Sequence, residues 1–262
     1  MSSNVMHVAK TGLNAQQARI QVISNNLANV NTTGFKRDRA NFESLLYQTV
    51  RPAGAQTSEA TAQTSPTTIG TGVRLVSTEK MYTQGNLTTT DNALDLAIDG
   101  KGFFQVLMPD GRIGYTRNGT FSQNAEGVLT TASGYVVQPE VQIPGEATSI
   151  SVSRDGIISV VLPDAVEAQE VGQLTLAQFT NPRGLEPVGE TLAVETTASG
   201  PPAVGAPVED GMGDLVQGAL ETSNVNVVQE LVEMIEAQRA YEINSRSISA
   251  SDEMMSYLAN KL

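Results

Sequence analysis

Side chains that commonly carry out chemistry are scarce in this sequence. His7 is the single histidine, and cysteine is absent. A nucleophile–histidine–acid triad would need that histidine in a cleft, whereas His7 lies near the end of the chain in a segment with a helical repeat. Zinc sites of histidine and cysteine, thiolate chemistry and disulfides all lack the residues that they require. The sequence therefore predicts neither a catalytic triad nor a zinc centre.

Two other motifs have the composition of ligand-binding loops but not their spacing. The acids of residues 91–99 (DNALDLAID) are four apart, unlike the alternating acids of an EF-hand loop. Gly100-Lys101-Gly102 lacks the GxxxxGK[ST] frame of a phosphate loop and is interpreted as a tight turn before Phe103. A carboxylate pair that meets only in the folded chain stays open. We expect no enzymatic activity and no cofactor.

The charge of the chain argues against nucleic acid as a partner. The formal net charge is −12, whereas a nucleic-acid binder presents a basic face. Residues 1–52 contain six basic and two acidic side chains, a net +4, and residues 209–262 contain ten acidic and three basic ones, a net −7. Opposite charge favours pairing of the two ends, although screened surface charges contribute modestly.

Neither a membrane span nor a cleavable leader is predicted. No segment reaches the roughly 18 consecutive apolar residues of a spanning helix. The N-terminal sequence MSSNVMHVAKTGLNAQQ lacks a basic region followed by a continuous apolar run. We therefore expect no direct membrane insertion and no cleaved signal peptide.

Residues at the start of the chain repeat with the period of a coiled coil. One row, with a spacing of seven, is Met6, Leu13, Ile20 and Leu27, and the neighbouring row is Ala9, Gln16, Ile23 and Val30. Alternating spacings of three and four form an a/d seam over about three and a half heptads. We expect a helix up to about Asn31, with Gly34 as its stop, that packs against another helix. An amphipathic helix on its own globular core is the alternative.

The end of the chain has a matching repeat. Its rows are Val227, Met234, Tyr241, Ile248, Met255 and Leu262, and Leu231, Gln238, Ser245, Asp252 and Ala259. Asn226 is predicted to cap this helix, with Gln229 and Glu230 as capping-box and first-turn residues. A lone helix of this length is marginal in water, because most of its stability comes from packing. It therefore needs a partner.

Polar clusters beside both seams indicate contacts between helices. Asn25, Asn26 and Asn29 are mediocre helix formers that lie close together on a helix, which favours lateral hydrogen bonds over a simple fraying end. The segment from Gln238 to Glu242 (QRAYE) places donors and acceptors next to the second seam and suits the same role.

The middle of the chain has the pattern of a β domain. Short apolar or alternating runs are separated by turn sequences such as Pro109-Asp110-Gly111 and Asn118-Gly119, which favours an antiparallel barrel or sandwich. The predicted strands are 103–108, 112–117, 128–131, 135–138, 149–153, 157–162, 172–179 and 192–195. Residues 48–72, rich in Thr, Ala, Ser, Gln and Pro, are interpreted as an extended, weakly structured arm, and residues 199–213 as a Pro/Gly linker.

Three stretches of the chain resemble a known family. ISNNLANVNTTGFKR (23–37) is similar to the N-terminal signature of bacterial flagellar basal-body rod and hook proteins, and ETSNVNVVQELVEMIEAQRAYEINSRSISASDEM (221–254) to their C-terminal signature. QGNLTTTDNALDLAIDGKGFFQV (84–106) and YTRNGTFSQNAEGVLTTASGYVVQP (115–139) resemble their first β domain. Within the family the resemblance is closest to the distal rod protein, because FESLLYQTVRPAGAQTSEAT (42–61) resembles its characteristic insertion.

The resemblance implies an α+β fold in which long terminal helices form a coiled-coil layer around a central antiparallel all-β domain. Five segments are predicted: an N-terminal heptad helix (1–33), an arm and connector with the insertion (34–95), a β domain (96–198), a Pro/Gly-rich linker (199–219) and a C-terminal heptad helix (220–262). The residues expected at the assembly interface are Leu13, Ile20, Ile23, Asn25, Asn26, Leu27, Asn29, Val30, Phe35, Val227, Leu231, Met234, Gln238, Arg239, Tyr241, Glu242, Ile248 and Met255.

The implied function is that of a structural subunit of the distal rod, a rigid helical tube that transmits torque from motor to hook and encloses the export channel. The implied partners are copies of the chain itself, proximal rod and hook subunits, the peptidoglycan and outer-membrane ring proteins, and the flagellar type III export apparatus. The implied location spans the periplasm to the outer membrane. A hook or proximal rod subunit is the alternative within the family, and a secreted β-rich adhesin or enzyme is the alternative outside it.

Overall fold

The chain divides into two compact units. The computed structural model describes residues 2–54, 56–58, 61–62, 64–163 and 168–261. The first unit, here the helical unit, comprises Met1–Leu27, Asp38–Glu79 and Asn226–Leu262. The second, here the β unit, comprises Ala28–Arg37 and Lys80–Val225. The chain therefore passes from one unit to the other four times.

The helical unit contains both long helices. These are α1 (Ser2–Ala28) and α2 (Val227–Lys261). The predicted cap of α2 is confirmed, because Asn226 Oδ1 accepts a hydrogen bond from Gln229 N at 3.2 Å. The Gln229 side chain donates instead to Glu233 one turn later, so the capping box is half formed.

The first helix is shorter than predicted. It ends at Ala28 rather than near Asn31, and a turn follows in which Thr32 N donates to Asn29 O at 3.2 Å. Asparagine in this segment competes with the helix for backbone hydrogen bonds, which explains the early end. Gly34 has φ +68°, in the left-handed region expected of a residue that terminates such a turn.

The described residues of the helical unit also form six strands. They are β1 (Asp38–Ser44), β2 (Gln48–Arg51), β3 (Gln56–Ser58), β4 (Thr61–Ala62), β5 (Thr67–Ile69) and β6 (Val73–Lys80). β1 pairs with β6, and the cross-strand contacts Arg39–Glu79, Asn41–Ser77 and Glu43–Arg74 follow an antiparallel ladder. β2 pairs with β5, and β3 with β4, in antiparallel register.

The predicted arm is more regular than its composition indicated. Residues 48–72 supply the paired strands β2 to β5, because their Thr, Val and Ile side chains fit a pleated backbone. The β2 and β5 side chains are nevertheless all exposed, so this hairpin adds little core. The parts of the arm at residues 55, 59–60 and 63 lie outside the described residues.

The β unit is built from sixteen described strands and two short 3₁₀ turns (Pro182–Gly184 and Glu209–Gly211). Its strands are β7 (Leu87–Thr89), β8 (Leu96–Asp99), β9 (Phe104–Leu107), β10 (Ile113–Thr116), β11 (Phe121–Gln123), β12 (Leu129–Thr131), β13 (Val136–Gln138), β14 (Ser149–Val152), β15 (Ile157–Val161), β16 (Gln169–Gln173), β17 (Leu176–Gln178), β18 (Glu186–Gly189), β19 (Leu192–Val194), β20 (Ala203–Gly205), β21 (Asp214–Gln217) and β22 (Ala219–Glu221). The largest sheet has the order β11-β12-β13-β9-β10-β19-β18, and β14-β15-β16 form another.

The predicted fold class, α+β with long terminal helices and a central antiparallel β domain, is confirmed. Seven of the eight predicted strands lie within one or two residues of an observed strand, and the predicted strand 172–179 is divided between β16 and β17. The alternating pattern and the turn sequences were sufficient for this, because both signals are local.

The β unit extends beyond the limits predicted for the β domain. β21, in the predicted linker 199–219, pairs with β8, and β22 pairs with β7 in the predicted connector 34–95. Residues 80–95 therefore belong to the same compact unit as the β domain. These pairs join strands more than 110 residues apart in sequence, so no local sequence pattern could predict the pairing.

The core of the β unit lies on both faces of the largest sheet. Phe104 is 1 % exposed and packs edge-to-face on Phe121, with ring centroids 5.0 Å apart. Its neighbour Phe103 belongs to a second cluster with Tyr115 and Phe179. Adjacent residues of a strand point to opposite faces, so this Phe-Phe pair anchors both clusters.

Replacing Phe104 by alanine is expected to destabilise the β unit by about 3–5 kcal/mol, because the variant loses buried aromatic area and leaves a cavity. Denaturant unfolding of the full chain, followed by near-UV circular dichroism, measures the change. Val188→Ala, at an exposed position of β18, is the matched control and should lie within about 0.5 kcal/mol of the natural chain. Equal stability of the two variants would contradict this assignment of the core.

Candidate assembly interface

The two long helices pair antiparallel within the helical unit. Asn26 contacts Glu230, Arg19 lies 3.7 Å from Glu233, and Gly12 faces Asn244. Residue numbers thus rise along α1 while they fall along α2. A Cβ at Gly12 would lie only 3.1 Å from Asn244 Nδ2, so glycine permits the close approach of the helices at this point.

A buried polar cluster fixes the register of this pair. The Asn26 side chain, 1 % exposed, donates to Asp38 O at 2.9 Å and accepts from Asp38 N at 2.8 Å. It also donates to Glu230 Oε2 at 3.2 Å, and Glu230 is itself buried in the first turn of α2. A carboxylate is favoured at a helix N-terminus. Asn26 thereby joins the end of α1, the start of β1 and the start of α2.

The hydrogen bonds of the asparagine cluster that the structure shows lie within the single chain. Asn25 donates to Asp38 Oδ2 at 3.2 Å, and Asn29 Oδ1 accepts from Thr32 Oγ1 at 3.2 Å. The prediction that these side chains make hydrogen bonds between helices applies to Asn26, whose partner is α2 of the same chain. Contacts of Asn25 and Asn29 with other subunits stay a prediction.

Both predicted rows of α1 contribute to its packing. Ala9 and Ile23 are buried, and the other described members are half-buried. Those half-buried members are Met6, Leu13, Gln16, Ile20, Leu27 and Val30. Ala15, which belongs to neither row, is also buried.

One row of α2 differs from the predicted seam. Met234 and Ile248 of the first predicted row are half-buried, and Val227, Tyr241 and Met255 are exposed. The second row facing inward is Glu230, Ala237, Asn244 and Ser251, one residue before the predicted Leu231, Gln238, Ser245 and Asp252, which are exposed. Small and polar residues fill this row, and an apolar repeat therefore points to the neighbouring row instead. Arg239 and Glu242 are exposed as well.

The opposite side of α2 carries large apolar side chains. We call them the outer stripe: Val228, Val232, Ile235, Ile243, Met254 and Tyr257, with exposed fractions between 49 and 71 %. At roughly 100° per residue these positions follow one line along the helix, about half a turn away from the inward row. Helix α2 is thus apolar on a face that α1 does not cover.

A second exposed apolar surface lies in the arm. Leu46 and Tyr47 precede β2 with exposed fractions of 90 and 62 %, and Val50 and Ile69 are exposed on the β2–β5 hairpin. A two-stranded hairpin without a core is marginally stable alone in water. Together with the outer stripe, it gives the helical unit two apolar surfaces that are open to a partner.

Phe35 has a different place from the other predicted interface residues. It belongs to the β unit and is buried, with Lys80 Nζ 4.9 Å from the centre of its ring. This is a cation–π contact inside the unit. Phe35 therefore contributes to the packing of the β unit in the single chain.

The described residues hold no group of three or more His, Cys, Asp or Glu side chains arranged to bind a metal ion. Neither of the two helices, as far as the structure describes them, is long and apolar enough to span a membrane.

Comparison with known proteins finds three family models along the chain. Residues 6–36 match the flagella basal body rod protein model, and residues 97–160 match the flagellar hook protein FlgE/F/G D1 domain. Residues 216–262 match the C-terminal model of the flagellar basal body rod FlgEFG proteins. The two terminal matches contain nearly all of α1 and the whole of α2, so the helices that pair here are those that the family models describe.

Similarity also extends over nearly the full length of individual proteins. The chain is 54 % identical over 252 residues to the flagellar basal-body rod protein FlgG of Buchnera aphidicola subsp. Acyrthosiphon pisum, covering 96 % of this chain and 97 % of that protein. It is 47 % identical over 251 residues to FlgG of Caulobacter vibrioides, covering 95 % and 96 %. It is 44 % identical over 256 residues to FlgG of Borreliella burgdorferi, covering 97 % and 96 %.

Replacing Asn26 by aspartate is expected to destabilise the helical unit by about 2–4 kcal/mol, because a second carboxylate would face buried Glu230 and the carbonyl of Asp38. The deficit should shrink as the pH falls to about 4 and below, because protonation of the introduced carboxyl group removes the repulsion. Thermal unfolding followed by far-UV circular dichroism at pH 7 and pH 3.5 measures both effects. Asn14→Asp, exposed on α1, is the control, and an equal deficit in it would refute the register.

Proposed function

Because the chain belongs to the flagellar basal-body rod protein family and is a structural subunit of the rod, we propose that it polymerises into the distal rod. The polymer is a rigid helical tube of identical subunits that transmits torque towards the hook and encloses the export channel. The observation that carries this proposal is the outer stripe of α2, an apolar surface that the single chain leaves in water.

A second copy of this chain is the occupant that the outer stripe fits. Each of its six side chains gains on the order of 1 kcal/mol on partial burial, which is modest for one contact but repeats at every subunit of a helical polymer. Arg239 and Arg246 lie within the stripe, and Glu242 and Glu253 border it. Charges of both signs on one face allow copies of the same helix to pair. α1 faces away from this stripe, since it covers the inward row.

The arm supports the distal rod in particular. Proteins named FlgG align with this chain over nearly its whole length, and the exposed arm residues Leu46, Tyr47 and Val50 have no core of their own. Contacts of the arm with neighbouring copies would bury these side chains and order the hairpin. An interlocking arm resists bending, because each subunit then holds more than one neighbour.

Thirteen of the eighteen predicted interface residues divide into two groups in this proposal. Leu13, Ile20, Ile23, Leu27, Met234 and Ile248 hold α1 and α2 together within a subunit. Val227, Leu231, Gln238, Arg239, Tyr241, Glu242 and Met255 are exposed and are assigned, with the outer stripe, to contacts between subunits.

The proposed partners beyond the chain itself are proximal rod subunits below, hook subunits above, the peptidoglycan and outer-membrane ring proteins around the shaft, and the type III export apparatus. The proposed location is the basal body between periplasm and outer membrane. The proposal includes no enzymatic activity and no cofactor, since rigid packing is sufficient for transmission of torque.

Replacing Ile235 by aspartate is expected to abolish tube formation while the monomer stays folded, because Ile235 is exposed in the single chain and would be buried between copies. Electron microscopy of the purified protein scores tubes, and far-UV circular dichroism scores folding. Ser249→Asp adds the same charge to the same helix outside the stripe and should still assemble. Tubes of normal length from the Ile235 variant would refute the stripe as the interface.

Deletion of residues 49–70 distinguishes the distal rod from a hook or proximal rod subunit. A distal rod subunit without its arm should still form tubes, because the helices are intact, but those tubes should be curved or flexible. Electron microscopy measures their persistence length, for which a loss of at least several-fold is expected. A subunit that does not depend on the arm would give tubes as straight as those of the natural chain.

A further inference from the structure

Three segments of the β unit lie next to the four points where the chain passes from one unit to the other. They are residues 28–37, 80–86 and 219–225, and we call them the connector segments. In a shaft subunit these segments must not move independently, since each would then act as a separate hinge. The structure shows what binds them to one another inside the β unit.

Glu221 binds the other two connector segments at once. Its Oε1 accepts hydrogen bonds from Lys36 Nζ at 2.6 Å and from Gly85 N at 2.8 Å. Its backbone carbonyl accepts from Gly34 N at 2.8 Å. The side chain is fully buried, so these bonds are shielded from water.

Asn224 repeats this bridge three residues later. Its Oδ1 accepts from Arg37 N at 2.8 Å, and its Nδ2 donates to the carbonyls of Met81 at 2.7 Å and Thr83 at 3.0 Å. Arg37 O in turn accepts from Met81 N at 2.8 Å. The side chains of Glu221 and Asn224, both in residues 219–225, therefore each contact the other two connector segments.

Two glycines allow this proximity. A Cβ at Gly85 would lie 1.9 Å from the carbonyl oxygen of Thr222, and a Cβ at Gly34 would lie 2.5 Å from Asn118 N. Both distances are below any tolerable contact, so a larger residue at position 85 would force two connector segments apart, and one at position 34 would force residues 28–37 away from Asn118. Gly34 and Gly85 fall within the stretches whose sequence resembles the family, and this packing is a physical reason for glycine there.

The contacts around Glu221 depend on its charge. Lys36 and Arg117 are both buried, and Arg117 Nε lies 3.7 Å from Glu221 Oε2 while its Nη2 donates to Gly100 O at 2.5 Å. Burial lowers the pKa values of Lys36 and Arg117, and the carboxylate of Glu221 opposes that shift. Removal of the Glu221 charge would leave buried Lys36 without an opposing charge and buried Arg117 with only that of Asp99, which is strongly destabilising.

We propose that Glu221, acting through Lys36 and together with Asn224, is the positioning residue that closes the three connector segments into one cooperative body. We call this arrangement the connector clasp. It gives the subunit the stiffness that torque transmission requires, and in that respect it rests on the proposed function. The segments open together or not at all, because buried Lys36 and Glu221 keep all their hydrogen-bond partners only when all three are in place.

Hydrogen exchange on the purified full chain tests the clasp without reference to assembly. In Glu221→Gln, amides of all three segments, including Arg37, Met81, Gly85 and Thr222, should exchange at least tenfold faster, while those of β14 and β15 are unchanged. Gln keeps the shape and the acceptor for Gly85, so a purely local hydrogen-bonding role predicts near-normal exchange. Glu209→Gln, exposed in the same unit, is the matched control. Acceleration confined to residues 219–223, or none, would overturn the proposal.

A second variant covers the case in which Glu221→Gln does not fold. Lys36→Met leaves Arg117 and Glu221 as a neutral pair but removes the link to Thr83 O, which Lys36 Nζ contacts at 2.8 Å. Residues 80–86 and 219–225 should then exchange at least tenfold faster, although the substitution lies in neither, and unchanged exchange there would again refute cooperative closure.

Tubes of this variant should form with a shorter persistence length, and tubes as stiff as natural ones would refute the mechanical role. If the natural chain forms no tubes, the proposed function fails while the exchange result still decides the clasp.

Discussion

The antiparallel pairing of the first and last helices is the constraint on which the rest of this structure depends. With α1 and α2 side by side, the chain that leaves Ala28 must return to Asn226 at the same end of the pair. Nearly two hundred residues between them must therefore form a closed loop, and closure of so long a loop costs conformational entropy. The β unit recovers that cost, because β7 and β8 near its start pair with β22 and β21 at its end.

Buried polar and charged groups, rather than apolar ones, define where the chain closes. Asn26 and Glu230 set the register of the helix pair, and Glu221 with Lys36 sets the junction of the first and last segments of the β unit. Apolar contacts tolerate a slip of register better than such groups do, because a displaced carboxylate or ammonium loses all its partners at once. The two clusters share one feature. In each, a buried side chain from the C-terminal part of the chain bonds to one from the N-terminal part, and neither would have a full set of hydrogen-bond partners without the other.

The two units differ in where their apolar residues lie. In the β unit they form two clusters on the two faces of one sheet, and the chain itself buries them. In the helical unit one inward row of α2 is small and polar, with Ala237 and Glu230 buried in it, while Val232 and Ile235 point outward. A protein that stayed monomeric would gain from the reverse arrangement. The distribution suits a subunit whose helices complete their core only among copies of themselves.

Local signals in the sequence determined much of this architecture by themselves. Heptad spacing, the Asn226 cap and the turn sequences place both helices and seven of the β strands, because each signal lies within a few residues of the element that it specifies. Resemblance to the rod proteins then indicated the kind of assembly. Only the tertiary structure decided which row of α2 faces α1, since an apolar pattern cannot identify an inward row made of Glu230, Ala237 and Ser251. Only the tertiary structure shows that Lys36 contacts Glu221. These residues are 185 positions apart, and no local pattern in the sequence links them.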